Sequence, residues 1–198
     1  MTLLVVTAVP AERDALLDVV PAESVIAAGI GPAAAASAAS AALARGSFDL
    51  VVSAGIAGGF DVPVGAVVVA SRVVHADLGV ETAEGFSPLG DAFDVSPELV
   101  AALSRRTGAV VGTVLTVSTV TGTAATTAAL RTRYPDAVAE AMEGFGVASA
   151  AAVHGVPFAE VRAISNSVGP RDRPSWRIPE ALAALRDAFV AITKEPLP

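Results

Sequence analysis

The segment Leu50-Val-Val-Ser-Ala-Gly-Ile-Ala-Gly-Gly59 establishes the architecture, because a short apolar run passes directly into glycines. Residues 50–54 are typical of a strand buried on both faces of a parallel sheet, and residues 55–59 are expected to form an open glycine loop. Similar apolar runs predict further strands at 2–8, 24–28, 66–74, 109–117, 137–142 and 157–164. Helical patterns lie between them at 32–45, 96–106, 123–134, 144–154 and 178–192. This alternation predicts an α/β fold in one domain, residues 1–198, with a central mixed, mostly parallel, twisted sheet in a three-layer α/β/α arrangement.

The composition excludes several classes of chemistry. The 198 residues include no cysteine and only two histidines, so disulfides, a cysteine nucleophile, thiolate metal sites and a histidine-rich metal centre are excluded. The formal net charge is -7 and the basic residues are scattered, which argues against a nucleic-acid-binding surface. We therefore expect no metal and no nucleic-acid partner.

Two uncharged stretches, 24–44 and 107–130, and a mean hydropathy of +0.62 raise the question of membrane insertion. The first stretch is dominated by alanine, and half of the second is threonine, serine or glycine, so neither has the leucine, isoleucine and phenylalanine content that insertion favours. The N-terminal run has no basic region and is followed at once by Glu12 and Asp14, which is unlike a signal peptide. The sequence predicts a cytoplasmic protein without membrane contact.

Two familiar motifs fit the chain only in part. Gly29-x-Gly31-x-x-Ala34 matches the dinucleotide fingerprint, but Asp49, at the spacing of the acidic partner, precedes the next strand instead of ending it. NAD binding therefore stays as an alternative, beside glycines that only permit a tight turn. The serine-hydrolase motif fails because residues 51–55 lack its first glycine. His154 is interpreted as a cation at a helix C-terminus, and the role of His75 stays open.

Three polar side chains follow predicted strands, where α/β sheets place ligands. Glu12 follows the first strand, Glu143 follows the strand at 137–142, and Asn166 follows the strand at 157–164. Each also has a structural interpretation, as an acid at a helix N-terminus or as a turn former. Their convergence beside the glycine-rich segment favours a ligand site.

Four separated motifs resemble the nucleoside phosphorylase/nucleosidase superfamily. They are Ser53-Ala-Gly-Ile-Ala-Gly-Gly59, Ala141-Met-Glu143, Val161-Arg-Ala-Ile-Ser-Asn166 and Gly29-Ile-Gly31. The resemblance covers residues 2 to about 192 and implies a nucleoside phosphorylase-like fold. Within the superfamily the chain resembles the nucleosidases that act on futalosine in the alternative menaquinone pathway. The residues that indicate this are Asp77-Leu-Gly-Val-Glu81, Gly85-Phe86, Arg171-Asp172, Trp176 and Asn166.

The resemblance implies two catalytic residues, Glu12 to orient the attacking water and Asn166 to bind the departing base. Related adenine-releasing enzymes have an aspartic acid in place of Asn166. The amide NH2 suits a 6-oxopurine, hypoxanthine, which presents acceptors at N7 and O6. A carboxylate beside the anomeric carbon can accept a proton from water and would repel phosphate, so hydrolysis is favoured over phosphorolysis.

The resemblance also implies how the rest of the substrate is held. Glu143 would bind the ribose hydroxyls and Met142 the sugar face. Further binding residues are the glycine-segment residues and the candidates for the base and for a benzoate-bearing arm: Ile56, Ala57, Gly58, Thr119, Phe86, Arg171 and Trp176. No cofactor is expected, and a homo-oligomer, a dimer or larger, is expected. Alternatives are a methylthioadenosine-type nucleosidase, a phosphorylase, a non-catalytic purine-binding relative and a dinucleotide oxidoreductase.

Overall fold

The computed structural model describes residues 2–197. The strands are β1 Leu3–Thr7, β2 Val25–Ala27, β3 Leu50–Gly59, β4 Val67–His75, β5 Gly79–Thr82, β6 Gly85–Pro88, β7 Phe93–Asp94, β8 Val110–Thr116, β9 Ala137–Ala141 and β10 Phe158–Ser167. The helices are α1 Pro10–Asp14, α2 Pro32–Leu43, α3 Pro97–Thr107, α4 Ala124–Arg133, α5 Gly144–His154 and α6 Ile178–Thr193. Two 3₁₀ turns lie at Ala22–Ser24 and Arg173–Ser175.

One sheet organises the fold, in the order β10-β4-β8-β9-β3-β1-β2, with β7 beside β4 and a further pairing of β10 with β3. Most pairs are parallel, and the antiparallel ones are β10 with β4, β3 with β9 and β4 with β7. The prediction of a mixed, mostly parallel α/β sheet is confirmed. The predicted three-layer α/β/α arrangement needs one correction: β3 pairs with both β9 and β10, so the sheet between the helices is partly closed into a barrel.

The glycine segment also differs from its prediction. Residues 55–59 continue β3 instead of forming a loop. A side chain at Gly55 would place its Cβ 2.5 Å from Glu12 Oε1 and 2.7 Å from Arg162 Nη1. Glycine is therefore required here for the close approach of side chains from other elements, and not for a turn.

Two further boundaries differ from the predictions. Residues 76–95, where no strand or helix was predicted, contain the antiparallel hairpin of β5 and β6 followed by the short strand β7. Asn166, expected just after a strand, lies inside β10, one residue before its end. Its partner in β3 is Gly58, beyond a shift in register after Ile164.

Helices cover the sheet on two sides. On one side α3 and α6 bury apolar residues such as Leu103, Leu185 and Phe189 against the strands. On the other side α2 and α5 pack through alanines, and a Cβ at Gly146 would lie 2.0 Å from the carbonyl oxygen of Pro32. Small residues thus bring these two helices together, and with them the start of α2 and the start of α5.

Within residues 2–197, no helix combines the length and apolar composition needed to cross a bilayer.

Candidate functional site

A cavity of about 290 Å³ opens where β1, β3, β9 and β10 end. In α/β proteins this edge of the sheet is where ligands bind. The structure brings eight of the eleven residues predicted from sequence into its wall. They are Glu12, Ile56, Ala57, Gly58, Met142, Glu143, Asn166 and Trp176.

Glu12 lies at one end of this cavity, in the short helix that follows β1. Its Oε2 accepts hydrogen bonds from the backbone N–H groups of Ala8 (2.9 Å) and Val9 (3.2 Å), and its Oε1 accepts one from Ile56 (2.9 Å). The side chain is only 4% exposed. Donors from β3 and from the β1–α1 junction therefore hold the carboxylate in one orientation towards the cavity.

Glu143 is the N-cap residue of α5 and follows Met142, just beyond the end of β9. Its Oε1 accepts from the backbone N–H of Gly31 (3.3 Å), and its Oε2 pairs with Arg162 Nη1 (3.3 Å). The close packing of α2 on α5 makes the first of these contacts possible.

Arg162, in the middle of β10, connects the charged groups at this end. It is fully buried and donates from Nε to Glu160 Oε1 (2.8 Å) and from Nη2 to Ser53 Oγ (2.9 Å). Burial opposes its charge, but the carboxylates of Glu160, Glu143 and Glu12 raise its pKa above the usual value. We call Glu12, Glu143, Glu160 and Arg162 the charged cluster.

Glu160 is fully buried two residues before Arg162 on the same face of β10. Burial raises the pKa of Glu160, and the neighbouring Arg162 opposes that shift. A Cβ at Gly144 would lie 2.1 Å from Glu160 Oε2, so the first residue of α5 must be glycine to leave room for this carboxyl group.

Asn166 and Glu140, which we call the polar pair, line the other end of the cavity, beside Gly58 and further along β3 than the contacts of Glu12 at Gly55 and Ile56. Ser165 Oγ–H donates to Asn166 Oδ1 (2.7 Å), and Asn166 Nδ2 donates to the carbonyl oxygen of Ser167 (2.9 Å). An amide nitrogen carries two hydrogens, so one N–H of Asn166 remains for a ligand. Glu140, only 6% exposed, accepts from the backbone N–H (2.9 Å) and hydroxyl (2.5 Å) of Thr121.

The sequence analysis missed Glu140, Glu160 and Arg162. A signal was present for two of them, because Glu160 and Arg162 interrupt an apolar strand at positions i and i+2, which face the same side. Glu140 also interrupts an apolar run, at 137–142. The prediction relied on polar residues that follow strands, and these three charged residues lie inside strands.

Three predicted site residues do not line the cavity. The backbone N–H of Thr119 donates to Asp77 Oδ2 (3.3 Å), and Val120 and Thr121 line the wall instead. Phe86 in β6 lies beneath the guanidinium of Arg133, at 4.3 Å from the ring centroid. Arg171 lies outside the wall, but its guanidinium is 5.9 Å from the ring of Trp176, which does line it.

Both histidines have partners outside this cavity. His75 Nε2 lies 3.2 Å from Asp77 Oδ1, and its ring packs against Phe145 at 5.3 Å. His154 ends α5 and its Nε2 shares a hydrogen bond with Ser40 Oγ (2.9 Å). The structural interpretation of His154 agrees with this position.

Comparison with known proteins agrees with the geometry. The family model described as phosphorylase superfamily matches residues 19–195. Futalosine hydrolase from Streptomyces coelicolor is 53% identical, over 95% of this chain and 93% of that protein. Futalosine hydrolase from Thermus thermophilus is 36% identical, over 84% of this chain and 79% of that protein.

Solved structures share the fold. A 5'-methylthioadenosine/S-adenosylhomocysteine nucleosidase from Neisseria meningitidis, in complex with methylthio-immucillin-A, superimposes with a TM-score of 0.84 at 23% identity, over 97% of this chain and 98% of that one. A futalosine hydrolase mutant of Helicobacter pylori superimposes with a TM-score of 0.85 at 17% identity, over 98% of this chain and 99% of that one.

Proposed function

This chain belongs to the phosphorylase superfamily and, within it, to the futalosine hydrolases, and we propose that it hydrolyses the N-glycosidic bond of futalosine, releasing hypoxanthine and dehypoxanthine futalosine. The single observation that carries the proposal is that one cavity contains the carboxyl groups of Glu12 and Glu143 at one end and the amide of Asn166 at the other. Both ends rest on one hydrogen-bonded sheet, which supports treating the chain as one nucleosidase domain.

Glu12 orients the water that attacks the sugar. Its carboxylate is held by three backbone N–H groups, so it faces the cavity without depending on a mobile side chain. Oε1 accepts only one of these hydrogen bonds and retains capacity for another, and a positioned carboxylate can take a proton from water as the water adds to C1′.

Glu143 binds the ribose hydroxyl groups, and Met142 packs on the sugar. The C1′–N9 bond lengthens first, which leaves an oxocarbenium-like sugar, as in other glycoside hydrolyses. A carboxylate fixed beside that centre stabilises the developing positive charge. Arg162 is a positioning residue in this scheme, because its guanidinium is hydrogen-bonded to Glu143 and Glu160 and fixes the first of them.

Asn166 donates to the departing base. Ser165 occupies the amide oxygen, which leaves the NH2 group facing outwards as a donor. A donor matches N7 and O6 of a 6-oxopurine, and it stabilises the base as it takes up the bonding electrons of C1′–N9.

The charge of the cluster supports water as the nucleophile. Three carboxyl groups, Glu12, Glu143 and Glu160, surround one guanidinium, Arg162. A phosphate dianion entering this end would meet an excess of negative charge in a poorly solvated place, where such repulsion is strong.

The rim of the cavity is the place for the benzoate-bearing arm. Trp176 lines the opening and Arg171 lies over its ring, so an aromatic carboxylate could stack on the first and pair with the second.

We also infer that the chain assembles with copies of itself, because Leu78, Val80 and Leu89 expose apolar surface on and beside the β5–β6 hairpin.

The proposal is tested by chromatography of products after incubation with futalosine, inosine or 5'-methylthioadenosine, with and without phosphate. Futalosine should yield hypoxanthine and a free sugar product at the same rate in both buffers. Adenine released from methylthioadenosine faster than hypoxanthine from futalosine would favour a methylthioadenosine nucleosidase. A sugar 1-phosphate would identify a phosphorylase.

A further inference from the structure

Glu140 is a buried acid in the cavity wall that the mechanism above does not use. It lies in β9, opposite Gly58 of the neighbouring strand β3. Asn166 lies opposite the same Gly58, from β10 on the other side of β3. Paired residues of neighbouring strands point to the same face of a sheet, so both side chains project into the cavity, with Cα atoms about 10 Å apart across two strand spacings.

Gly58 has no side chain of its own between these two residues, and the side chain of Val168 lies over it. A Cβ at this position would lie 2.9 Å from Val168 Cγ2 and 3.4 Å from Asn166 Nδ2. The row Glu140–Gly58–Asn166 therefore forms a slot with an acid at one side, an amide at the other and the apolar side chain of Val168 over the glycine between them. Such a slot admits the edge of a flat ring.

The carboxyl group of Glu140 lacks a cationic partner among residues 2–197. Its two oxygens accept only from Thr121, through the backbone N–H and the hydroxyl. The nearby charge that acts on it is Asp77, which is also negative, and burial raises the pKa of Glu140. An ionised carboxylate has about four acceptor sites, so the group is left with unused acceptors facing the cavity.

The two ends of the slot match one kind of purine. Along one edge a 6-oxopurine presents acceptors at N7 and O6 and then a donor, N1–H. A 6-aminopurine presents an acceptor at N7, a donor at the amino group and an acceptor at N1. A donor amide and an acceptor carboxylate complement the first pattern, whereas a carboxylate facing N1 of the second pattern brings two acceptors together.

We propose that Glu140 is a specificity residue for the base: its carboxylate accepts a hydrogen bond from N1–H of a 6-oxopurine while the free N–H of Asn166 donates to N7 or O6 of the same ring. This inference rests on the proposed purine nucleosidase function. Thr121 fixes the carboxylate at the correct side of the slot. Two residues therefore disfavour adenine: Glu140 on β9 and Asn166 on β10.

The test compares Glu140→Gln with the unaltered chain on futalosine and on its 6-amino analogue. The glutamine amide can accept from N1–H or, after rotation, donate to an unprotonated N1. The ratio of kcat/KM for the 6-oxo over the 6-amino substrate should therefore fall about 10- to 100-fold. Glu23→Gln, an exposed acid far from the cavity, serves as the matched control and should keep the original ratio. An unchanged ratio in Glu140→Gln overturns the proposal.

A second measurement needs neither the variant nor catalysis. Calorimetric titration of the unaltered chain with hypoxanthine, 1-methylhypoxanthine and adenine compares ligands that differ at N1. Hypoxanthine should bind at least tenfold more tightly than both others. Equal binding of hypoxanthine and 1-methylhypoxanthine overturns the role of Glu140, even if Glu140→Gln fails to fold. Failure to cleave futalosine with this binding order intact would refute the proposed activity and leave the inference standing.

Discussion

The two ends of the cavity are built in opposite ways. At the charged cluster, Arg162 bonds to Glu160 and Glu143, and Glu12 is held by backbone N–H groups of two elements. At the polar pair, Glu140 has only Thr121 as a partner and Asn166 keeps an unused N–H. At the first end the charges are paired within the protein, although Glu160 Oε2 has no hydrogen-bond partner among residues 2–197, whereas at the second end Glu140 has no cationic partner in that part of the chain.

This difference separates two tasks. Groups that must meet a developing charge act best when they are already oriented, because no reorganisation is then needed during the reaction. Groups that must choose between ligands act best when a wrong ligand leaves them unpaired. We therefore expect changes at the charged cluster to affect turnover and stability for every substrate, and changes at the polar pair to affect which base is preferred.

The largest effect is expected for Glu12→Gln, which keeps the shape of the side chain but removes its ability to take a proton. Turnover of futalosine should fall by about 10²–10⁴. Asp14→Asn, an exposed acid in the same helix, is the matched control and should retain normal turnover. Steady-state release of hypoxanthine provides the measurement, and near-normal turnover in Glu12→Gln would remove Glu12 from the mechanism.

The second effect concerns folding. Arg162→Met removes the only guanidinium from among three buried carboxyl groups, and breaking a buried ion pair in this way costs about 3–5 kcal/mol. Urea denaturation should show this loss in the free energy of unfolding. Arg186→Met breaks the half-exposed pair with Asp18 and should hardly move the midpoint. Equal shifts in the two variants would show that the charged cluster does not act as a unit.

At the polar pair, Asn166→Asp should change base preference more than turnover. A protonated aspartic acid can donate to N7, and its second oxygen can accept from a 6-amino group, so preference should move towards the 6-amino analogue by about 10- to 100-fold. Ser165→Ala loosens the amide without changing its donors and should slow both substrates alike. Competition between the two substrates measures the ratio, and a constant ratio in Asn166→Asp would contradict the assignment.

The smallest effect is on the pH dependence of stability. Burial raises the pKa of Glu140 in the folded chain, so the unfolded chain releases this proton at lower pH. At a pH below the ordinary pKa range of a carboxyl group, Glu140 is protonated in both the folded and the unfolded chain, so no stability is lost. As the pH rises through the raised pKa, the unaltered chain should lose stability relative to Glu140→Gln. Thermal unfolding from pH 4 to 8 checks this, and parallel curves would show that Glu140 titrates normally.

Sequence patterns predicted the polar residues at the strand ends around the cavity better than the charged residues inside the strands. Glu12, Glu143 and Asn166 were found because polar residues at strand ends in an α/β protein meet at one edge of the sheet. Glu140 and Arg162 escaped because a charge inside an apolar strand gains meaning only from partners on other strands.

Two other failures have the same physical origin. The glycine segment was mistaken for a loop, since the reason for Gly55 is the approach of Glu12 and Arg162 from other elements. Phe86 was assigned to the site from the family resemblance, and the hairpin places it beneath Arg133, outside the cavity wall. Both placements depend on contacts between residues that are far apart in the sequence, and a local sequence pattern does not reveal such contacts.

A crystal structure of Glu12→Gln with futalosine bound would test the division of the cavity between sugar and base. We predict hypoxanthine in the slot between Glu140 and Asn166, with Asn166 Nδ2 within hydrogen-bond distance of N7 or O6. Glu143 should contact the ribose hydroxyls, and the side chain at position 12 should face C1′. Density for the base beside Arg162, or for a nucleoside that contacts only one end of the cavity, would contradict this account.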